Sequence, residues 1–217
     1  MNSLLSRARS VAASAGGGLL AGATRVVAAA RPAARPLHPH GEVRGAQLRR
    51  SGSDVPTGVA WIDEPGTDEV LVRRSRAIGL PDALPDIHGL AVRVPRAEGG
   101  HADVLLASTG LGRLTRFTLT AARSPERRPM TTLMPYRSPT GPLLLAATPA
   151  GEHVELAWAR PGGDWHRFGE LVLAAPAAAG DALISFDPVR NPVPGLDSYD
   201  WVRRLREPAY ATARHSR

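Results

Sequence analysis

What most constrains this chain is a series of short apolar segments, cut at short intervals by glycine and proline. Val43, Ala46 and Leu48 open the series, and Val59-Ala60-Trp61-Ile62 follows, ending at Glu64-Pro65-Gly66. Val70-Leu71-Val72-Arg73 comes next, then a glycine- and proline-rich loop from Gly79 to Pro85. Further strands fit Leu90 to Val94, Val104 to Ala107, Leu114 to Leu119, Leu143 to Ala147, Val154 to Ala159, Phe168 to Ala174 and Leu183 to Phe186. Short strands at near-regular spacing, separated by turn signals, predict an antiparallel barrel or sandwich. Asp187 to Leu196 reads as an irregular proline-rich linker and Asp197 to Arg217 as a closing helix.

A chain of 217 residues makes one large domain or two small ones. All 27 of its strongly basic residues are arginine, and they leave a net charge of +7. That charge permits acidic partners without specifying one. A lysine-free, alanine-rich composition points to a GC-rich genome rather than to a function. The absence of cysteine rules out disulfides, thiolate catalysis, iron–sulfur clusters and cysteine-held zinc. Hydrolase motifs and a phosphate-binding loop are absent, and Gly110-x-Gly112 is an isolated pair without the third glycine of a dinucleotide fingerprint. The few aromatic residues are not interleaved with the arginines, which argues against single-stranded nucleic acid as a partner.

Residues 1–31 read as an alanine-rich helix with arginines at 7, 9, 25 and 31. Gly16-Gly17-Gly18 and Gly22 break its apolar stretch, which is too short to span a bilayer. A docking or surface helix is the preferred reading; a secretory signal and an amphipathic anchor on an anionic membrane are the alternatives.

The last dozen residues carry one tyrosine among arginines. Arg206 precedes Tyr210 by four positions and Arg217 follows it by seven, so all three fall on one helical face. A neighbouring guanidinium favours the phenolate of a tyrosine, and a phenolate is a recognised axial ligand of haem iron. The second arginine could then hold a haem carboxylate in a two-pronged pair. A solvated or packing tyrosine in a basic helix is the plainer alternative. Arg35-Pro36-Leu37-His38-Pro39-His40-Gly41 stands before the first strand. His38 has the residue type suited to proton shuttling near neutrality, and a serine such as Ser75 could bond one of its ring nitrogens. A structural histidine, or a weak His38/His40 metal pair, remains open.

Together these segments resemble the haem catalases. Arg35-x-x-His38-x-x-Gly41 is similar to the distal-histidine segment of that family, and Val72-Arg73-x-Ser75 to its Val-Arg-Phe-Ser strand, with Arg74 in place of phenylalanine. Asp86-Ile87-His88-Gly89-Leu90-Ala91-Val92-Arg93 resembles Asp-Pro-Arg-Gly-Phe-Ala-Val-Lys. Asp103-Val104-Leu105 resembles the start of the next strand, and Arg206-x-x-x-Tyr210 the proximal haem motif. The order is that of the family, from about residue 35 to the end, with a loose match over 110–200.

The resemblance implies an α+β fold: an antiparallel β-barrel with an N-terminal helix over 1–31 and a C-terminal proximal haem helix, residues 32–217 forming one haem domain. It implies haem b, with Tyr210 as axial ligand and Arg206 lowering its pKa. Arg35, Arg73 and Arg217 would pair the propionates. His38 would be the distal base, Ser75 would fix its tautomer, and Phe117 is the candidate for the distal aromatic. Two departures stand out. The family's asparagine position falls on Ala107 or Ser108, and the chain's asparagines are Asn2 and Asn191. The family's C-terminal helical domain is missing from the sequence. Small catalase-related, peroxidase-like proteins of the actinobacterial type are therefore the closer comparison. The expected activity is a haem-dependent peroxidase with at most weak catalase turnover, using hydrogen peroxide or an organic hydroperoxide and a small electron donor. The alternatives are a catalase-fold protein that binds haem, or nothing, without turnover, and a basic module for membrane or nucleic acid. The expected location is the cytoplasm, with membrane contact through the N-terminal helix and homo-oligomers compatible with the chain.

Overall fold

The computed structural model describes residues 40–81, 83–175 and 184–204. The helix expected over 1–31, Arg35, His38, Arg206, Tyr210 and Arg217 all lie outside the described residues. Ten strands follow in chain order: β1 (His40–Arg50), β2 (Gly66–Arg76), β3 (His88–Pro95), β4 (His101–Ser108), β5 (Met130–Thr131), β6 (Tyr136–Ser138), β7 (Gly141–Ala150), β8 (His153–Ala159), β9 (His166–Leu173) and β10 (Asp197–Ser198). Every pairing is antiparallel, in the order β10-β6-β7-β5-β4-β3-β2-β1-β9-β8. The added pairing of β7 with β8 closes eight of these strands into a barrel, with β6 and β10 as an extension.

Alternation explains which residues fill it, because successive side chains of a strand point to opposite faces. Leu48, Val70, Val72, Leu90, Val92, Val104, Leu106, Leu145, Leu156, Trp158, Phe168 and Leu171 form the interior cluster. A barrel of eight strands is just wide enough for side chains to fill. Strand β7 departs from alternation. Leu143 to Ala147 are buried at every position, so this strand is covered on both faces.

Seven expected strands coincide with β1, β2, β3, β4, β7, β8 and β9. Two do not form. Val59-Ala60-Trp61-Ile62 is not a strand but leads into a single helical turn, α1 (Ala60–Asp63). The Asp63 carboxylate closes that turn: it accepts from Thr57 N at 2.9 Å, Thr57 Oγ1 at 2.8 Å and Gly58 N at 2.8 Å. Ile62 thereby enters the core at 0% exposure, and Trp61 meets Phe168 edge to face at 5.3 Å. The segment from Leu114 to Leu119 is likewise not a strand; it holds a 3-10 turn, Thr115–Phe117, and a lone bridge from Leu119 to Thr109. Of the segment expected at Leu183 to Phe186, residues 184–186 are irregular. At the C-terminal end Asp197 and Ser198 pair with β6, and helical residues start at 200 and run to 204, the last described.

Among the described residues, no helix is long and apolar enough to cross a membrane.

Candidate functional site

The outer face of β1–β4 is built from rows of residues set directly opposite one another. Gly41 faces Ser75, Ser75 faces Gly89, and Gly89 faces Ala107. The neighbouring row runs Val43, Arg73, Ala91, Leu105. These positions alternate with the core residues Val72, Leu90, Val92, Val104 and Leu106, so they point away from the barrel interior. The first row holds nothing larger than a serine. A broad, low surface results at the end of the barrel where β1 starts and β2 ends.

Arg73 lies along this surface and is 7% exposed, although it is on the outside of the barrel. Its guanidinium crosses the backbone at Gly41. A Cβ there would sit 2.5 Å from Arg73 Nη2 and 2.8 Å from the Arg74 carbonyl oxygen, so the position requires glycine. Ser75 stands two residues on from Arg73 and therefore on the same face. The structure thus brings together two of the expected site residues, Arg73 and Ser75. Phe117 stands at the end of the 3-10 turn after β4 and is 38% exposed.

Ala107 and Ser108, the two residues at which an asparagine is expected, face opposite ways. Ser108 points away from this surface: its hydroxyl donates to the Thr120 carbonyl at 2.6 Å and accepts from the His88 backbone N–H at 3.0 Å. Ala107 is the outward residue, opposite Gly89. Arg74 also points inward. It lines a cavity of about 10 Å³ with Leu90, Pro125, Met130, Ala147, Pro149 and Val154, and pairs with Glu126 at 3.1 Å. Burial pulls its pKa below the ordinary arginine value, and Glu126 opposes that shift. His88 is 4% exposed, and its Nε2 lies 2.9 Å from the Ala122 carbonyl oxygen. A carbonyl only accepts, so Nε2 carries the proton.

The third row, Gly45, Leu71, Arg93, Asp103, anchors the segment that returns from β9. Asp103 is 1% exposed and accepts from Arg93 Nε at 2.8 Å, Arg93 Nη2 at 3.1 Å, Asp187 N at 2.8 Å and Asn191 Nδ2 at 3.1 Å. Its own N–H donates to the Asn191 carbonyl at 2.8 Å. Arg93 also bonds the Ser185 carbonyl and lies 4.8 Å over the Phe186 ring. Asp103 entered the sequence reading only as part of a matched strand. Its outward position among apolar inward residues was the available signal that it binds something.

The described surface is low enough to take the side of a flat prosthetic group: glycine and alanine leave room for a plane, and the Arg73 guanidinium lies at its edge. Among the described residues, no group of three or more His, Asp or Glu could hold a metal ion.

No family model and no curated protein matches the chain. A solved structure of a fungal catalase does, with a TM-score of 0.61 and 15% sequence identity, over 86% of this chain and 59% of that one. The chain therefore spans less than two thirds of that catalase. At this identity the likeness concerns the fold: the chain carries a catalase-like antiparallel β-barrel.

Proposed function

We propose that the protein binds haem b on the outer face of β1–β4 and acts as a peroxidase on hydrogen peroxide or an organic hydroperoxide. The observation that carries this reading is Arg73, 7% exposed on the outside of the barrel, laid over Gly41 beside a row of Gly, Ser and Ala. Arg73 is already engaged within the protein, and its planar guanidinium is of the type that also pairs a haem propionate. In this reading Arg35 and Arg217 share that role. Tyr210 ligates the iron, and Arg206 favours its phenolate form. Haem, when bound, supplies the redox chemistry that an amino-acid side chain lacks. His38 would take a proton from peroxide and give it to the departing oxygen, with a small organic donor supplying the two electrons that the reduction consumes. Ser75 holds one ring nitrogen of His38, which keeps the other free for that transfer. Phe117, exposed in the turn after β4, takes no part in this reading. Ala107, across Gly89 from Ser75, provides no hydrogen-bonding side chain, which is why little catalase turnover is expected.

The test is an absorption spectrum of protein expressed with a haem precursor, compared with Tyr210→Phe, followed by peroxide consumption with His38→Ala. A Soret band that shifts or vanishes in Tyr210→Phe, with peroxide consumption falling at least about a hundredfold in His38→Ala, is the expected result. No haem uptake by soluble, folded protein would overturn the reading. Haem uptake without peroxide consumption would leave a catalase-fold haem-binding protein.

A further inference from the structure

The connection from β4 to β5 inverts the usual placement of charge and oil. Arg116 is buried at 2% exposure, while Leu114 is 84% exposed, Phe117 38% and Leu119 37%. Arg116 acts as an anchor. Its guanidinium donates to the carbonyls of Leu111, Gly112, Arg160 and Gly163 at 3.0 to 3.2 Å and lies 4.6 Å from the centre of the Trp165 ring. Backbone bonds from Gly110 N to Thr115 O and from Phe117 N to Leu114 O tighten the turn. Residues three apart in a 3-10 turn lie on the same side, so Leu114 and Phe117 share a face. The loop is thus held stiffly with its apolar side chains outward, and little ordering is left to be done on contact with a partner.

The charges nearby indicate the partner. From Gly110 to Arg123 the chain has no Asp or Glu, and Arg113 and Arg123 are both exposed. Asp164, from the β8–β9 turn, offsets part of the charge at Arg116. A short apolar tip flanked by arginines matches an anionic lipid surface, where the apolar groups enter the headgroup boundary and the cations meet phosphate. We infer that the β4–β5 loop is a membrane-docking tip, with Leu114, Phe117 and Leu119 entering an anionic bilayer and Arg113 and Arg123 lying against its headgroups. Its test does not depend on haem.

Sedimentation of the full chain with vesicles of phosphatidylcholine containing 30% phosphatidylglycerol checks the idea against pure phosphatidylcholine vesicles. Wild type binds the anionic vesicles, and part of the binding survives 0.5 M salt because apolar burial is not screened. Leu114→Glu weakens binding roughly tenfold, with an unchanged melting temperature because the side chain is exposed. Arg113→Gln weakens binding at low salt only. Equal binding by wild type and Leu114→Glu would overturn the proposal, and so would binding abolished by salt alone. Light scattering is the second readout: a dimer lost in Leu114→Glu, without vesicle binding by wild type, would reassign the tip to self-association and also overturn it.

Discussion

The contact between Gly41 and Arg73 is where one atom decides the geometry of the candidate site. Neither residue is unusual alone; their opposition follows from the β1–β2 register, which sets Val43 against Arg73 and Gly41 against Ser75. A methyl at position 41 would overlap both the Arg73 guanidinium and the Arg74 carbonyl oxygen. The guanidinium can swing aside, but the carbonyl belongs to the strand. Gly41→Ala is therefore expected to destabilise the fold by about 1–3 kcal/mol, as overpacking does, and to weaken haem uptake more than the stability loss alone accounts for. A melting curve and a haem titration on the same preparation separate the two effects. Normal uptake at normal stability would show that Arg73 does not set the floor of the site. The sequence made Arg73 and Ser75 legible through a local motif. It hid the Gly41 contact and the Gly89–Ala107 row, because those depend on register between strands far apart in the chain.

Elements were legible where alternation was long enough to outvote local preference. Strands β1 to β4, β8 and β9 each keep apolar residues at inward positions over several residues, and β7 is a longer unbroken apolar run. The two misread segments have a shared cause. Val59 to Ile62 and Leu114 to Leu119 are short runs rich in apolar residues, and such a run does not distinguish strand from turn. A polar group settled each: the Asp63 carboxylate in the first, the Arg116 guanidinium in the second. The β2–β3 connection is held in a comparable way. Asp86, 0% exposed, accepts from the backbone N–H groups of Ile78, Gly79, Leu80 and Ile87 at 2.7 to 3.1 Å. Burial by itself raises the Asp86 pKa, and these N–H groups more than reverse it, leaving the carboxyl below its ordinary value. A lowered carboxyl pKa contributes stability above the unfolded value, near 4, and that contribution is lost as pH falls through the lower native value. Wild type should therefore lose urea resistance between about pH 5 and pH 2. Asp86→Asn keeps one acceptor oxygen and no charge. It should unfold at lower urea than wild type at pH 7, with the gap narrowing toward pH 3. A gap of equal size at both pH values would exclude an ionised Asp86 as the source.

At the scale of the whole molecule, closure and strapping do work that no local pattern reveals. The barrel closes only because β7 pairs with both β5 and β8; the sequence marks β7 and β8 as strands but does not mark β5. The segment 187–196 was readable as irregular and proline-rich, but not as a strap. It crosses the outer face of β3 and β4 and is held there by Asp103, which gathers Arg93, the Asp187 N–H and Asn191 around one carboxylate. The strap continues into β10 and the helical residues 200–204, toward Tyr210 in the sequence. Removing the carboxylate leaves the Arg93 charge and several buried donors without their acceptor, at a cost of about 3–5 kcal/mol. Asp103→Ala is accordingly expected to lower the urea midpoint strongly. If the strap also positions the C-terminal segment, the variant should show reduced haem uptake under conditions where it remains fully folded by circular dichroism. Asp103→Glu keeps the charge and should recover stability in part. A variant that is destabilised yet takes up haem as wild type does would confine Asp103 to holding the barrel together. An unchanged urea midpoint would remove the strap from the account of stability, since four hydrogen bonds to a buried carboxylate cannot be lost from the native state alone without cost.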